Sequence, residues 1–283
     1  MWLLEVLILP LFAAALAYGQ FTSGVDLVEV YASVSDTAGA AVPGLTADDF
    51  QVEEDGQPQA VTAFAAGDVP LGLAIAVDRS FSMKAGRVDR FALAKRAART
   101  LVDALRPADR VMVVAIGSDI DVVSPLSVDH AAAARAIDAL DVWGTTPLYD
   151  ATIKAVDAIQ ASKGRRALVL LSDGADRDSE TSAAELVDAV RHRDVLVYPV
   201  AVDAPRPPIF AELATATGGR SFAPTSAPAL EAAVRAIALD LRSQYLLGYV
   251  PRSAGGPPRW HAITVKVARS GLRVRARDGY FAP

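Results

Sequence analysis

The sequence predicts an α/β fold: a doubly wound, mostly parallel sheet with a small flanking β unit formed by the N- and C-terminal segments. Three observations predict it. Apolar runs at 71–77, 111–116, 167–171 and 195–200 show no alternation, as expected of strands buried on both faces of a parallel sheet. Segments with apolar residues at helical spacing separate these runs. Both ends of the chain instead alternate apolar and polar residues, which marks half-buried strands.

The elements follow in order. Val25 to Val34 mostly alternates and runs into the turn-forming stretch Asp36 to Gly39. Asp48 to Gly56 reads as a strand entering an Asp-Gly turn, and Gln59 to Phe64 resumes the extended pattern. After the first buried run, Val88 to Leu105 is helical and is stopped by Pro107. Arg110 to Ile116 is the second buried strand. Asp129 to Leu140 is a helix capped by Asp129, and Leu148 to Ala161 is another that ends at Gly164. Helices are also expected at 182–193, 209–215 and 227–242. Beyond Ser243, residues 244–250 are extended and 251–258 form a Pro/Gly-rich loop. Ile263 to Val267 and Leu272 to Ala276 alternate on either side of Ser270-Gly271, giving a terminal hairpin. The β segments at 20–66 and 242–283 flank an α/β domain at 67–241. Each is too short to bury a core alone, so they are expected to pack together.

The 283 residues are 52% hydrophobic and 22% charged, which excludes a disordered chain. A net charge of −5 with scattered basic residues gives no nucleic-acid footprint. Near the C-terminus Arg269, Arg273, Arg275 and Arg277 alternate, and a solvated sheet face is the plain expectation for them. Absence of cysteine excludes disulfides, zinc–thiolate sites, thiolate catalysis and a lipidated N-terminal Cys. Leu3 to Tyr18 is apolar apart from Glu5 and ends in Ala15-Leu16-Ala17, a small-residue cleavage pattern. Residues 1–19 are therefore expected to be an export signal, although no Lys or Arg precedes the apolar run. A periplasmic or secreted location follows, with membrane attachment only through an uncleaved N-terminal segment.

In doubly wound sheets ligands sit at the carboxyl ends of the strands. The first buried strand ends in Asp78-Arg79-Ser80-Phe81-Ser82, one carboxylate and two hydroxyls at alternate positions. The third ends in Ser172-Asp173-Gly174, and the loop Trp143 to Pro147 contributes the hydroxyls of Thr145 and Thr146. All are hard oxygen donors, suited to Mg2+, Mn2+ or Ca2+. Two carboxylates and three hydroxyls would leave an octahedral Mg2+ with an open position for a partner's acidic group. Helix capping is the competing role for Thr146-Pro147.

The order and spacing of these motifs resemble the metal-ion-dependent adhesion site of von Willebrand factor A domains over roughly residues 67–241. The resemblance implies that Asp78, Ser80, Ser82 and Asp173 approach the ion directly or through water. Aligning Gly144 to Ala151 with the commoner Gly-Gly-Thr-Ala-Leu-Tyr-Asp-Ala selects Thr146 as the threonine ligand. Gly44 to Phe50 and Gly279 to Pro283 resemble phrases that flank such domains in a subgroup of exported bacterial proteins, for which no particular activity is implied. One departure stands out: Phe81 lies between the two serines where many of these domains have Gly.

The expected function is metal-dependent capture of a protein ligand through an acidic group. An enzyme is not expected. The histidines (His130, His192, His261) are far apart, and no nucleophile elbow, phosphate loop or dinucleotide fingerprint follows a buried strand. The alternative is a metal-assisted hydrolase or phosphotransferase with Asp78 as nucleophile, but Ser80 stands where a second acid would be wanted.

Overall fold

The computed structural model describes residues 27–67, 69–251 and 257–282. The expected export signal at 1–19 lies outside them. Among the described residues no helix is long and apolar enough to cross a membrane.

Among the described residues, thirteen strands and six α-helices follow one another as β1 (Val28–Ser35), β2 (Phe50–Glu54), β3 (Gln57–Gln59), β4 (Ala63–Ala66), β5 (Leu71–Asp78), α1 (Arg90–Asp103), β6 (Arg110–Ile116), β7 (Ile120–Ser127), α2 (His130–Asp138), α3 (Leu148–Ile159), β8 (Arg165–Ser172), α4 (Ala183–Arg191), β9 (Leu196–Ala201), α5 (Pro208–Thr217), α6 (Ala227–Arg242), β10 (Tyr245–Tyr249), β11 (Arg259–Val267), β12 (Arg273–Arg275) and β13 (Gly279–Ala282).

The central sheet runs β7-β6-β5-β8-β9, parallel except for β7 at one edge. All eight residues of β5 are buried, because helices cover both faces. One face packs Ile75, Val77, Val113 and Val169 against Phe91, Leu101, Ile137 and Val234 of α1, α2 and α6. The other packs Ala76, Val114 and Leu170 against Leu148, Val156, Leu186 and Phe210 of α3, α4 and α5. The chain leaves β5 for β6 on one side and later returns to β8 on the other. The β5/β8 boundary is thus the topological switch point, where such sheets open a crevice at the strand ends.

The two chain ends form the flanking β unit. One sheet has the order β12-β1-β10-β4 and the other β13-β11-β2-β3, so strands from both ends interleave in each. Val30, Phe50, Val52, Tyr245, Leu247 and Ile263 fill the space between them. The expected terminal hairpin does not form. Val274 of β12 pairs with Val34 of β1, whereas β11 pairs with β13 and β2, so the Ser270-Gly271 turn carries the chain from one sheet to the other. The expected solvated arginine face holds for exposed Arg269 and Arg273 but not for Arg275 and Arg277. Arg275 donates to Asp240 at 2.7 Å and to the Gly219 carbonyl at 2.8 Å, and Arg277 donates to Asp194 and to the Glu29 carbonyl. The bonds to Asp240, Gly219 and Asp194 seat β12 and the residues after it on the α/β domain, whereas the Glu29 carbonyl belongs to β1. His192, the C-cap of α4, stacks on Phe281 of β13 with ring centroids 3.7 Å apart. Buried Tyr198 of β9 bonds Asp240 and Gln244, and Gln244 also bonds Ser33 of β1.

Candidate metal centre

At the end of β5 the backbone turns sharply. The Asp78 carboxylate accepts the Ser80 amide at 2.9 Å, an Asx turn that folds the loop back over the strand end. Its other oxygen accepts the Ser172 hydroxyl at 2.6 Å from the end of β8. Asp78 is fully buried, and burial pushes its carboxyl up to about 6 although the Ser172 and Ser80 hydrogen bonds pull the other way. Residues 81–84 then form a single 3-10 turn anchored by buried Met83. The turn holds the Ser80 and Ser82 hydroxyl oxygens 3.1 Å apart.

The loop before α3 meets this turn edge to edge. The Trp143 amide donates to the Arg79 carbonyl at 2.7 Å, and the Phe81 amide donates to the Gly144 carbonyl at 3.0 Å. Gly144 has a φ of +77°, and a Cβ there would lie 2.3 Å from the Ser118 hydroxyl oxygen, so only glycine fits. This packing turns Thr146 inward, to complete burial, and leaves Thr145 exposed.

Thr146 does not cap α3, the competing role its sequence position suggested. Pro147 occupies the N-cap position. The free amides of the first turn are met from another loop: Tyr149 by Asp176 and Ser179, and Asp150 by Ser179. The Thr146 hydroxyl therefore has no hydrogen-bond partner despite its burial. A buried hydroxyl without a protein partner costs about 1–3 kcal/mol unless water or a ligand meets it.

Ser80, Ser82, Thr145 and Thr146 line one open pocket of about 330 Å³, together with Phe81 and Arg177. The structure thus brings Ser80, Ser82 and Thr146 together at a common opening. Asp78 sits behind them, bonded to Ser80 and Ser172. Asp173 is less directly placed: one oxygen accepts the Ala175 amide at 3.1 Å, and the other lies 3.9 Å from Arg90 at the start of α1. Three neighbours went unassigned in the sequence: Ser172, which orients Asp78; Arg177, exposed on the pocket wall; and Arg90. Ser172 adjoins Asp173 in the strand-end motif, which was a signal that could have found it. Arg177 and Arg90 carry no motif of their own.

The donors fit a hard divalent cation. They are all oxygens, one is an unsatisfied hydroxyl, and buried carboxylate charge stands behind them. A second group, Glu54, Asp55 and His261, brings possible ligand atoms within 4.8 Å in the β unit. Its carboxylates are already engaged, although the Nε2 of buried His261 has no hydrogen-bond partner. Glu54 accepts the Tyr249 and Tyr280 hydroxyls, and Asp55 accepts from Arg259, His261 and the Ala262 amide.

Residues 73–175 match the family described as von Willebrand factor type A domain. Among solved structures, a von Willebrand factor type A protein from Catenulispora acidiphila is similar with a TM-score of 0.53 at 17% identity, over 92% of this chain and 75% of that one. Proximal thread matrix protein 1 from the mussel byssus, solved with a zinc-occupied MIDAS motif, is similar with a TM-score of 0.54 at 16% identity, over 68% of this chain and 50% of that one. At these identities the likeness shows the fold. No curated protein matches the chain.

Proposed function

On the premise that its central α/β domain is a von Willebrand factor type A domain, we propose that the protein is an exported, metal-dependent binding module that captures a partner protein through an acidic group. The observation that carries this is the Thr146 hydroxyl, buried and unpartnered beside Ser80 and Ser82 at an open pocket. Ser80, Ser82 and Thr146 would hold the ion, Mg2+ or else Mn2+ or Ca2+, with Asp78 and Asp173 balancing its charge. A bound ion of this kind supplies an electrophilic point at which a carboxylate completes the coordination shell. The zinc-occupied motif in the mussel protein supports a divalent ion at this place in the fold. Asp78 keeps Ser80 and Ser172 in register, so the loop is ordered before any ligand arrives.

The geometry weighs against the nucleophile alternative. Asp78 has no exposed surface, and both of its oxygens already accept hydrogen bonds. A nucleophilic carboxylate needs an open line of approach.

A pull-down from the source organism's envelope fraction tests the proposal, comparing the wild type with Asp78→Ala in Mg2+ and in EDTA. The expected result is a partner retained by the wild type in Mg2+ only. Turnover of a generic phosphate ester, abolished in Asp78→Ala, would replace the binding module with an enzyme.

A further inference from the structure

We propose that Phe81 and Trp143 form an aromatic rim that selects ligands in which the captured carboxylate is flanked by an aromatic side chain, so that the partner presents an extended Phe-Asp-type segment. The inference deepens the metal-dependent capture proposed above and rests on it.

The observations are positional. Phe81 is 62% exposed and Trp143 is 52% exposed, both among the most exposed large apolar residues of the described chain. Scattered apolar side chains on a surface are ordinary, but these two stand on loops tied to each other by two main-chain hydrogen bonds. Phe81 lines the same pocket as Ser80, Ser82 and Thr146. Both are held rigidly: Met83 anchors the turn that carries Phe81, and Gly144, next to Trp143, is wedged against Ser118. A rigid exposed aromatic loses little conformational freedom on contact, which is why such residues anchor interfaces.

The charge around the pocket fixes what the partner presents. The chain carries a net charge of −5, yet the pocket wall holds Arg177, which is exposed and makes no ion pair among the described residues. A guanidinium beside a cation-holding cluster favours an acidic group. Carboxylate at the centre and aromatic group at the rim then describe one ligand, an acidic residue with a large apolar neighbour in an extended chain.

Three capped peptides test this: acetyl-Gly-Phe-Asp-Phe-Gly-amide, its Ser-Asp-Ser counterpart and its Phe-Asn-Phe counterpart. Each is titrated by NMR into the wild type and into the Phe81→Ser/Trp143→Ser double variant, in Mg2+ and in EDTA. In Mg2+ the wild type should bind the Phe-Asp-Phe peptide roughly tenfold tighter than the Ser-Asp-Ser peptide, the scale of one or two aromatic contacts. The double variant should lose that preference while still binding the Ser-Asp-Ser peptide, which shows that its metal centre is intact. Equal, Mg2+-dependent binding of the two Asp peptides would overturn the rim and leave metal-dependent capture standing. Equal binding of the Phe-Asp-Phe and Phe-Asn-Phe peptides in Mg2+ would also overturn it, since the aromatics would then act without the carboxylate. If no Asp peptide binds in an Mg2+-dependent way, the capture itself fails.

Discussion

The Thr146 hydroxyl and the Asp78 carboxyl both depart from a well-satisfied protein interior. Thr146→Val replaces the unpartnered hydroxyl by a methyl group of the same shape. In EDTA this variant should be as stable as the wild type or more stable by about 1 kcal/mol, because an unsatisfied buried polar group is removed. The same change should abolish the rise in melting temperature that Mg2+ produces in the wild type; a rise that survives would remove Thr146 from the site. Asp78 carries the pH dependence. Burial holds its folded-state value near 6, above the ordinary 3.8, so the fold prefers the protonated form. The stabilising contribution is therefore full below about pH 4 and is lost as pH rises through about 6, a change of up to roughly 3 kcal/mol. Urea unfolding in EDTA at a series of pH values should show the wild type losing stability over that window relative to Asp78→Asn. Parallel profiles would contradict it. The position of Asp78 and Asp173 at strand ends was legible in the sequence because apolar runs show where buried strands stop, whereas the choice of Thr146 over Thr145 came from the family resemblance. What the sequence did not carry was orientation: that Asp78 turns toward Ser172, and that Asp173 lies near Arg90, depends on contacts between residues far apart in the chain.

The elements that position the site are helix starts and sheet edges. The first turn of α3 is capped from outside by Ser179 and Asp176, and Asp150 of α3 in turn accepts the amides of Glu180 and Thr181. The Arg177 amide donates to the Thr146 carbonyl within the same staple. Ser179→Ala should lower stability by about 1 kcal/mol, the usual loss of a cap, measured by urea unfolding. No loss would mean that water replaces the cap. The buried strands and the long helices were legible because a two-face-buried strand and an amphipathic helix write their periods plainly. Strand β7 was not, since only Ser124 of its eight residues is buried and Pro125 interrupts it, as suits an edge. The exchange of β12 into the other sheet was hidden for a different reason. Alternation around a Ser-Gly turn specifies two strands but not which partner each will choose.

At the scale of the whole molecule, the β unit exists only because both ends of the chain arrive at one place. Its two sheets interleave strands from 28–66 with strands from 245–282, and Arg275, Arg277, Gln244 and Tyr198 bond it to the α/β domain. Truncation after residue 242 should therefore leave 27–66 open to proteolysis within minutes, as followed by mass spectrometry. Persistence of an intact N-terminal segment in the truncated chain would show that the ends are independent. The switch point between β5 and β8 concentrates Asp78, Ser80, Ser82, Thr146 and Ser172 at the far end of the same sheet. The most direct test of the central claim is calorimetric titration of Mn2+ into the metal-free protein. One saturable ion per chain, lost in both Thr146→Val and Asp78→Ala while each variant remains folded, is the expected result. No saturable ion, or one bound equally well by the two variants, would contradict a metal centre at this site.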